Sequence, residues 1–318
     1  MRRIEGSAHI APPFTRPVVT VGNFDGIHVG HRAILDIVVE RARAQRGDAV
    51  VFTFDPHPRR FLQPESGPGL ITTLEQKLEL LEEAGVDAVV VEPFTAEFAR
   101  TSPESFIRDV LHGRIGPMEV YVGYDFHFGR DRTGSMRMLT EIGPKLGFSV
   151  TIISEVTVGG QDVNSTRVRE LLARARPEEV AAFLGRPYAV RGTVVEGDRR
   201  GRTLGFPTAN LAPDEASQVL PVAGVYAGRL RFLDDGSPAR GEALPSVANV
   251  GTRPTFGDAE RMLIESHLLD FEGDVYGRRV EFVFEHHLRP ERKFENVERL
   301  RGQISADVAE GRLRLEAS

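Results

Sequence analysis

Apolar and polar positions divide the chain into two textures. From Val18 to Ile153, short apolar runs alternate with stretches of helical spacing. Val18–Val21 is the first run, and the segment from His31 to Arg46 places Ile34, Leu35, Val38 and Ala42 on one helical face. Ala49–Phe54 (AVVFTF) predicts the next strand. Thr73-x-x-Gln76 reads as a capping box opening a helix that ends near Gly85. A third strand follows in Asp87–Phe94. Ser102-Pro103 opens a helix that closes at Gly113, with a cap residue and then proline where a helix tolerates them. A fourth strand at Glu119–Gly123, a helix over Met136–Leu146 and a strand at Phe148–Ile153 complete the alternation. Two more helical segments follow Asn164, one through Leu172 and one from Pro177 to Leu184. Such alternation predicts a parallel sheet covered by helices on both faces, with ligands at the carboxyl ends of its strands.

Beyond Gly185-Arg186-Pro187 the texture changes. YAVRGTVVEG (Tyr188–Gly197), GVYAGRLRFL (Gly224–Leu233), ALPSVANVG (Ala243–Gly251), MLIESHLLDF (Met262–Phe271) and RRVEFVFEHHL (Arg278–Leu288) are strand-like and separated by Gly, Pro and Asp turns. Consecutive short strands without helices predict an antiparallel barrel or sandwich. A closing helix over Asn296–Glu310 carries Val297, Leu300, Ile304 and Val308 on one stripe. The fold class expected is therefore α/β plus all-β. A doubly wound parallel-sheet domain spans residues 1–185, and an antiparallel β domain with a closing helix spans 186–318.

The length, 318 residues, suits two domains. A formal net charge of −6 argues against a surface that coats nucleic acid, and leaves room for local nucleotide sites. The chain has no cysteine, which excludes disulfides, thiolate zinc sites, iron–sulfur clusters and a cysteine nucleophile. MRRIEGSAHIAPPF lacks the apolar core of a signal peptide. No run approaches the ~18 apolar residues of a membrane span, so a soluble, cytoplasmic protein is expected.

Three polar stretches carry candidate chemistry. VGNFDGIHVGH (Val21–His31) places His28 and His31 on a glycine-rich turn between a strand and a helix. The two imidazoles suit a metal, a nucleotide phosphate or a merely structural turn. Zinc wants three or four ligands, and no nearby Glu or His completes the set. For a phosphate, Gly26 and Gly30 let backbone N–H groups approach an anion at the positive end of the following helix. Asp25 orients a histidine or shapes the turn. NSTRVRELL (Asn164–Leu172) gathers Asn164, Ser165, Thr166 and Arg167 at a helix start, with Val168, Leu171 and Leu172 toward the core. Taken alone, ordinary N-capping with solvated arginines is the better account of that stretch. VGYDFHFGRDRTGS (Val122–Ser135) is a polar loop after the fourth strand. All three fall at one predicted sheet edge.

In that order, GNFDGIHVGH, VGYDFHFG and NSTRVRELL resemble the adenylyltransferase module of the bacterial bifunctional riboflavin kinase/FAD synthetase family. The resemblance implies transfer of AMP from ATP to the phosphate of FMN, giving FAD and pyrophosphate. It implies that His28 and His31 act on ATP phosphates and the transition state. Gly22, Phe24, Gly26 and Gly30 would shape that turn, Asn164, Ser165, Thr166 and Arg167 would hold the triphosphate, and Asp125 would line the pocket. The family's second motif usually begins with serine where this chain has Asn164, a residue that also caps helices. The incoming nucleophile is already an anionic phosphate, so alignment and charge stabilisation suffice.

RRGRTLGFPTANL (Arg199–Leu211) opens the second half. Thr208 and Asn210 point the same way from an extended segment and offer oxygens to a hard cation; a turn with solvated arginines fits the same residues. LGFPTANL is similar to the Pro-Thr-Ala-Asn signature of riboflavin kinases. GVYAG, SVANVGTRPTFG, IESHLLDFEGDVYG and HLRPERKF then follow in the family's order. The resemblance implies phosphorylation of riboflavin to FMN by ATP in a β-barrel domain. Mg²⁺ would sit on Thr208 and Asn210, Glu265 would be the base, and Gly201, Arg202, Gly205 and Pro207 would lie around the nucleotide. On its own pattern Glu265 is a surface cross-strand residue. His286 and His287 point to opposite faces of a strand and read as structural. The partners expected are riboflavin, FMN and ATP, with no nucleic acid, no membrane, and a homo-oligomer compatible with the pattern. Two other classes of function compete. One is a single-activity enzyme with one module degenerate. The other is a flavin-sensing regulator without turnover, which has no need of Glu265 beside a metal pair.

Overall fold

A computed structural model of the chain describes residues 1–196, 206–234, 242–254 and 260–317. By contacts the chain forms two compact units, Met1–Ser165 and Thr166–Ser318. The division falls ahead of the change in texture at 185–186, because the helix Pro177–Leu184 packs on strands of the second unit. Among the described residues no helix is long and apolar enough to cross a membrane.

The first unit is a parallel sheet of six strands: β1 (Arg2–Glu5), β2 (Val18–Val21), β3 (Ala49–Asp55), β4 (Ala88–Pro93), β5 (Glu119–Gly123) and β6 (Ser149–Ile153). Their order is β1-β4-β3-β2-β5-β6. β2 lies between β3 and β5, so the loop leaving β2 emerges where the strand order reverses. The sequence pattern does not reveal β1. Only Ile4 of its four residues is buried, so this edge strand has no readable alternation. Both faces of the inner strands are covered. Val50 and Phe52 pack with Phe106, Ile107 and Leu111 on one side, and Val51 packs with Phe24, Leu35 and Leu81 on the other. This is why the strands read as unbroken apolar runs.

Helix α1 (Val29–Gln45) buries Ile34, Leu35, Val38 and Ala42 as its spacing predicts. Thr73 and Gln76 form the expected capping box over the helix Leu74–Glu83. The helix expected to close at Gly113 instead runs on, π-wound, over Phe106–Ile115 and stops at Gly116 in the left-handed conformation. The segment expected as one helix over Met136–Leu146 is an α-helix over Met136–Ile142 continued by a 3₁₀ turn, Gly143–Leu146. A small hairpin, β7 (Thr157–Val158) and β8 (Gln161–Asp162), precedes the helix Ser165–Ala173.

The second unit is a closed antiparallel barrel with β9 (Tyr188–Val195), β10 (Ala209–Pro213), β11 (Gly224–Phe232), β12 (Ala243–Pro254), β13 (Glu260–Leu268) and β14 (Arg279–Pro290). Its order is β10-β13-β12-β11-β14-β9. β10 closes the ring between β9 and β13, a role its own short pattern does not announce. The terminal helix, capped by Asn296, extends over Val297–Glu316, past the expected end at Glu310. Its expected apolar stripe is partly corrected. Leu300, Ile304 and Val308 are half-buried, Val297 is 63% exposed, and the buried positions are Asp307, Gly311 and Leu315. A Cβ on Gly311 would stand 2.5 Å from the Val247 Cγ2, so glycine sets the approach of this helix to the barrel. Asp307 is buried with compensation: Arg289 donates to both its oxygens, at 2.7–3.1 Å.

Candidate functional site

The turn after β2 folds tightly. Phe24, Gly26 and Ile27 all have positive φ, at 48°, 90° and 39°. For Phe24 and Ile27 this is strain of about 1–3 kcal/mol each. The surroundings hold it. Phe24 and Ile27 are 2% and 3% exposed, and both belong to the core beneath α1. At Gly26 a Cβ would meet Ile71 side-chain atoms at 3.0–3.3 Å, so only glycine serves there.

Asp25 is the clamp of this turn. It is 2% exposed, and its Oδ1 accepts the N–H groups of Ile71 (2.9 Å) and Thr72 (3.2 Å). The Gly26 N–H donates to Thr72 Oγ1, and the Ser165 hydroxyl donates to the Asp25 carbonyl at 2.9 Å. Of the two roles open to Asp25, the structure supports shaping the turn. Asp25→Ala is expected to destabilise the first unit by about 2–4 kcal/mol, because two buried N–H groups lose their acceptor at roughly 1–3 kcal/mol each. A urea titration of the full chain with no transition shifted to lower urea would contradict this.

His28 caps α1 with its own ring, Nδ1 accepting the His31 N–H at 3.2 Å. With Nδ1 an acceptor, the neutral ring carries its proton on Nε2 and presents a donor there. The His28 and His31 rings stack at 3.6 Å and 13°, and Phe24 lies 5.1 Å from His31. Burial, then the neighbouring His28 and Lys77, hold His31 well below the ordinary imidazole pKa. His31 is therefore neutral at pH 7. A negative charge placed beside it would draw its pKa back up. At Gly30 a side chain would stand 3.2 Å from the His28 Nδ1 and crowd the cap. Gly22 continues the strand ladder, its N–H donating to the Phe52 carbonyl at 3.1 Å.

The structure thus gathers Gly22, Phe24, Gly26, His28, Gly30, His31 and Ser165 at one turn. Asn164 precedes the helix Ser165–Ala173, and Thr166 and Arg167 lie in its first turn. Arg167 pairs with Glu170 at 3.0 Å. Asp125 is exposed in the loop after β5, the strand beside β2, and its carbonyl is 2.8 Å from the His127 Nδ1. Among the described residues no group of three His, Asp or Glu is placed to hold a metal, so no third such ligand stands beside the histidine pair.

Two features of this edge escaped the sequence reading. FDPHP (Phe54–Pro58) leaves β3 next to β2, and His57, 8% exposed, caps a short helix by accepting the Arg59 N–H, the same device as His28. Proline and histidine directly after a strand that neighbours the glycine-rich turn were the available signal. The second is an aromatic cluster. Phe94 and Phe98 contact Phe54 at 5.8 and 5.9 Å, Phe61 contacts Phe94 at 5.6 Å, and Phe126 stacks on Phe128 at 5.4 Å. Its members come from the carboxyl ends of three strands, and no local pattern joins them.

In the second unit, register builds the candidate site. Asn210 on β10 stands opposite Glu265 on β13, which stands opposite Asn249 on β12. Directly paired residues share a face, so the three form one row. Glu265 and His267 alternate with the buried Ile264, Ser266 and Leu268. Asn210 is 4% exposed, and its Oδ1 is buried without a hydrogen-bond partner. A buried oxygen left unpaired is the donor a hard cation takes, so the set fits Mg²⁺. The His267 Nδ1 donates to the Pro207 carbonyl at 2.8 Å and Phe206 meets that ring edge-on, which pins the segment entering Thr208. Gly201, Arg202 and Gly205, with Arg199 and Arg200, lie outside the described residues. The histidine pair divides as its strand predicts. His286 meets Glu178 at 3.0 Å, and His287 lies opposite Tyr226, 5.1 Å from its ring.

Comparison with known proteins finds two families matched along one chain. The FAD synthetase family model matches residues 12–167 and the riboflavin kinase model residues 184–315. The bifunctional riboflavin kinase/FMN adenylyltransferase of Escherichia coli (strain K12) is 39% identical over 290 residues, 91% of this chain and 90% of that protein. Its namesake from Pseudomonas fluorescens is 38% identical over 312 residues, 98% of this chain and 97% of that one. The one from Bacillus subtilis (strain 168) is 33% identical over 93% of this chain and 91% of its own. A crystal structure titled macrolide-efflux protein from Streptococcus pneumoniae superposes with a TM-score of 0.86 at 28% identity, covering 98% of this chain and 99% of that one. With both halves matched in order and the likeness running nearly end to end, the chain belongs to the bifunctional riboflavin kinase/FMN adenylyltransferase family.

Proposed function

We propose that this chain makes FAD from riboflavin in two steps, each using ATP. The second unit transfers the γ-phosphoryl group of ATP to the ribityl 5′-hydroxyl of riboflavin, giving FMN and ADP. The first unit joins the FMN phosphate to the α-phosphorus of ATP, giving FAD and releasing pyrophosphate. The observation that carries the reading is the Asn210–Glu265 register pair with its orphaned Asn210 Oδ1, a base and a cation ligand side by side. A flavin sensor without turnover has no use for that pair. The adenylyltransferase domain is assigned to residues 1–185 and the kinase domain to 186–318.

In the kinase step a neutral hydroxyl must lose its proton, and Glu265 accepts it. Thr208 and Asn210 would hold Mg²⁺, which when bound neutralises phosphate charge. Pro207 fixes the backbone leading to both, and Gly201, Arg202 and Gly205 belong to the stretch that covers phosphates. In the adenylyl step no base is needed. His28 and His31 donate to phosphate oxygens as charge builds on them, and the amino end of α1 adds its partial positive charge. Ser165, Thr166 and Arg167 hold the triphosphate, with Asn164 leading into them. The phenylalanines at the carboxyl ends of β3 and β4 offer the flavin ring a face to stack on, and Asp125 lines the same edge. A cytoplasmic location agrees with these substrates.

Incubation with riboflavin, ATP and Mg²⁺ tests the scheme by chromatography: FMN appears first and FAD second. FAD without an FMN phase, or FMN that never becomes FAD, would refute it. Riboflavin phosphorylation is also expected to stop in excess chelator and return on adding Mg²⁺. Undiminished turnover under chelation would remove the cation from Thr208 and Asn210.

A further inference from the structure

Lys77 is a lysine the scheme above does not use. It lies in the first turns of the helix Leu74–Glu83 and is only 6% exposed, where lysines are almost never found unless paired. Its ammonium has three protons to donate. Among the described residues it makes no hydrogen bond and no ion pair. Its charge is felt with those of Asp25 and Asp55, and it acts in turn on His31. These three residues come from the loop after β2, the end of β3 and the first turn of α1. The segment that carries Lys77 is fastened to the same turn, since Asp25 holds the N–H groups of Ile71 and Thr72, and Gly26 donates to Thr72. Asp25 is already engaged as an acceptor for backbone. A lysine buried to 6% exposure, with no carboxylate at hydrogen-bond distance and beside a turn that caps a helix amino end, suits an anionic partner.

We propose that the Lys77 ammonium is a phosphate-binding group of the adenylyl-transfer site, contacting polyphosphate oxygens held at the His28–His31 turn. The inference rests on the reading of that turn as the phosphate site. Burial lowers the Lys77 pKa, so the group is one whose charge is costly without a ligand, and a phosphate oxygen offsets that cost.

The test uses the full chain with both activities measured. In K77M, kcat/KM for FAD formation from FMN and ATP is expected to fall about 10- to 100-fold, the scale of a charge-assisted hydrogen bond. Riboflavin phosphorylation, carried by the other unit, is the internal control and is expected to stay within about twofold. If Lys77 only offsets the Asp55 charge, the double variant K77M/D55N regains FAD synthesis, and that result overturns the proposal. FAD synthesis by K77M within about threefold of wild type also overturns it. Should K77M unfold its unit, K77Q, which keeps a polar tip, carries the same expectation. The H28A/H31A protein is assayed alongside. An active K77M beside an inactive histidine variant refutes Lys77 alone, whereas an active histidine variant refutes the phosphate turn itself.

Discussion

Glu265→Gln is expected to lower FMN formation about 10²–10⁴-fold, the usual contribution of a general base. The amide keeps the size and shape of the carboxylate, and the β13 ladder to β10 and β12 is made by backbone. The barrel therefore stays closed, and Asn210 and Asn249 keep their places on either side. What the variant loses is a group able to take the proton of the ribityl hydroxyl. FMN supplied from outside is still converted to FAD, because the adenylyl step starts from an anionic phosphate and uses residues outside the barrel strands. Assaying both reactions on one sample makes the outcome sharp. If both activities collapse together, the assignment of separate sites is wrong. If neither changes, Glu265 is the surface cross-strand residue its alternation suggests.

The H28A/H31A double variant has the opposite signature. FAD formation is expected to fall about 10³-fold or more, since one donor aimed at developing charge contributes about 10²–10³. Riboflavin phosphorylation is retained. His28 also caps α1, so its removal costs about 1 kcal/mol of helix stability apart from any chemistry. His28→Asn separates the two effects. Asparagine caps a helix well but cannot place a donor where the imidazole Nε2 stands. H28N is expected to melt with the wild type and still make FAD poorly. Retention of FAD synthesis in H28N and in the double variant would leave the stacked imidazoles as a structural cap alone.

The elements most legible in the sequence are those governed by local rules. The helical spacing of Ile34, Leu35, Val38 and Ala42, the Thr73–Gln76 capping box and the strand runs of the parallel sheet each depend on neighbours a few residues away. The candidate site residues were nominated from short motifs: His28 and His31 on one turn, Ser165 to Arg167 at one helix start, Thr208 and Asn210 in one extended stretch. Elements whose stability is non-local were missed. β1 holds only Ile4 in the core and exists because β4 offers it an edge. β10 closes the barrel through partners on β9 and β13. The terminal helix buries Asp307 and Gly311 in preference to Val297, because the Arg289 guanidinium and the Val247 side chain decide its face.

The sequence by itself determined the class of chemistry, the two textures and the motifs, because residue type and short-range spacing are written directly in the chain. Only the tertiary structure decided the function of Asp25 as a clamp joining Ile71, Thr72 and Ser165, the stack of His28 on His31, the row Asn210–Glu265–Asn249 and the burial of Lys77. Each of these depends on residues distant in sequence meeting at one place. Burial and electrostatic environment are properties of that meeting, and no local pattern encodes them.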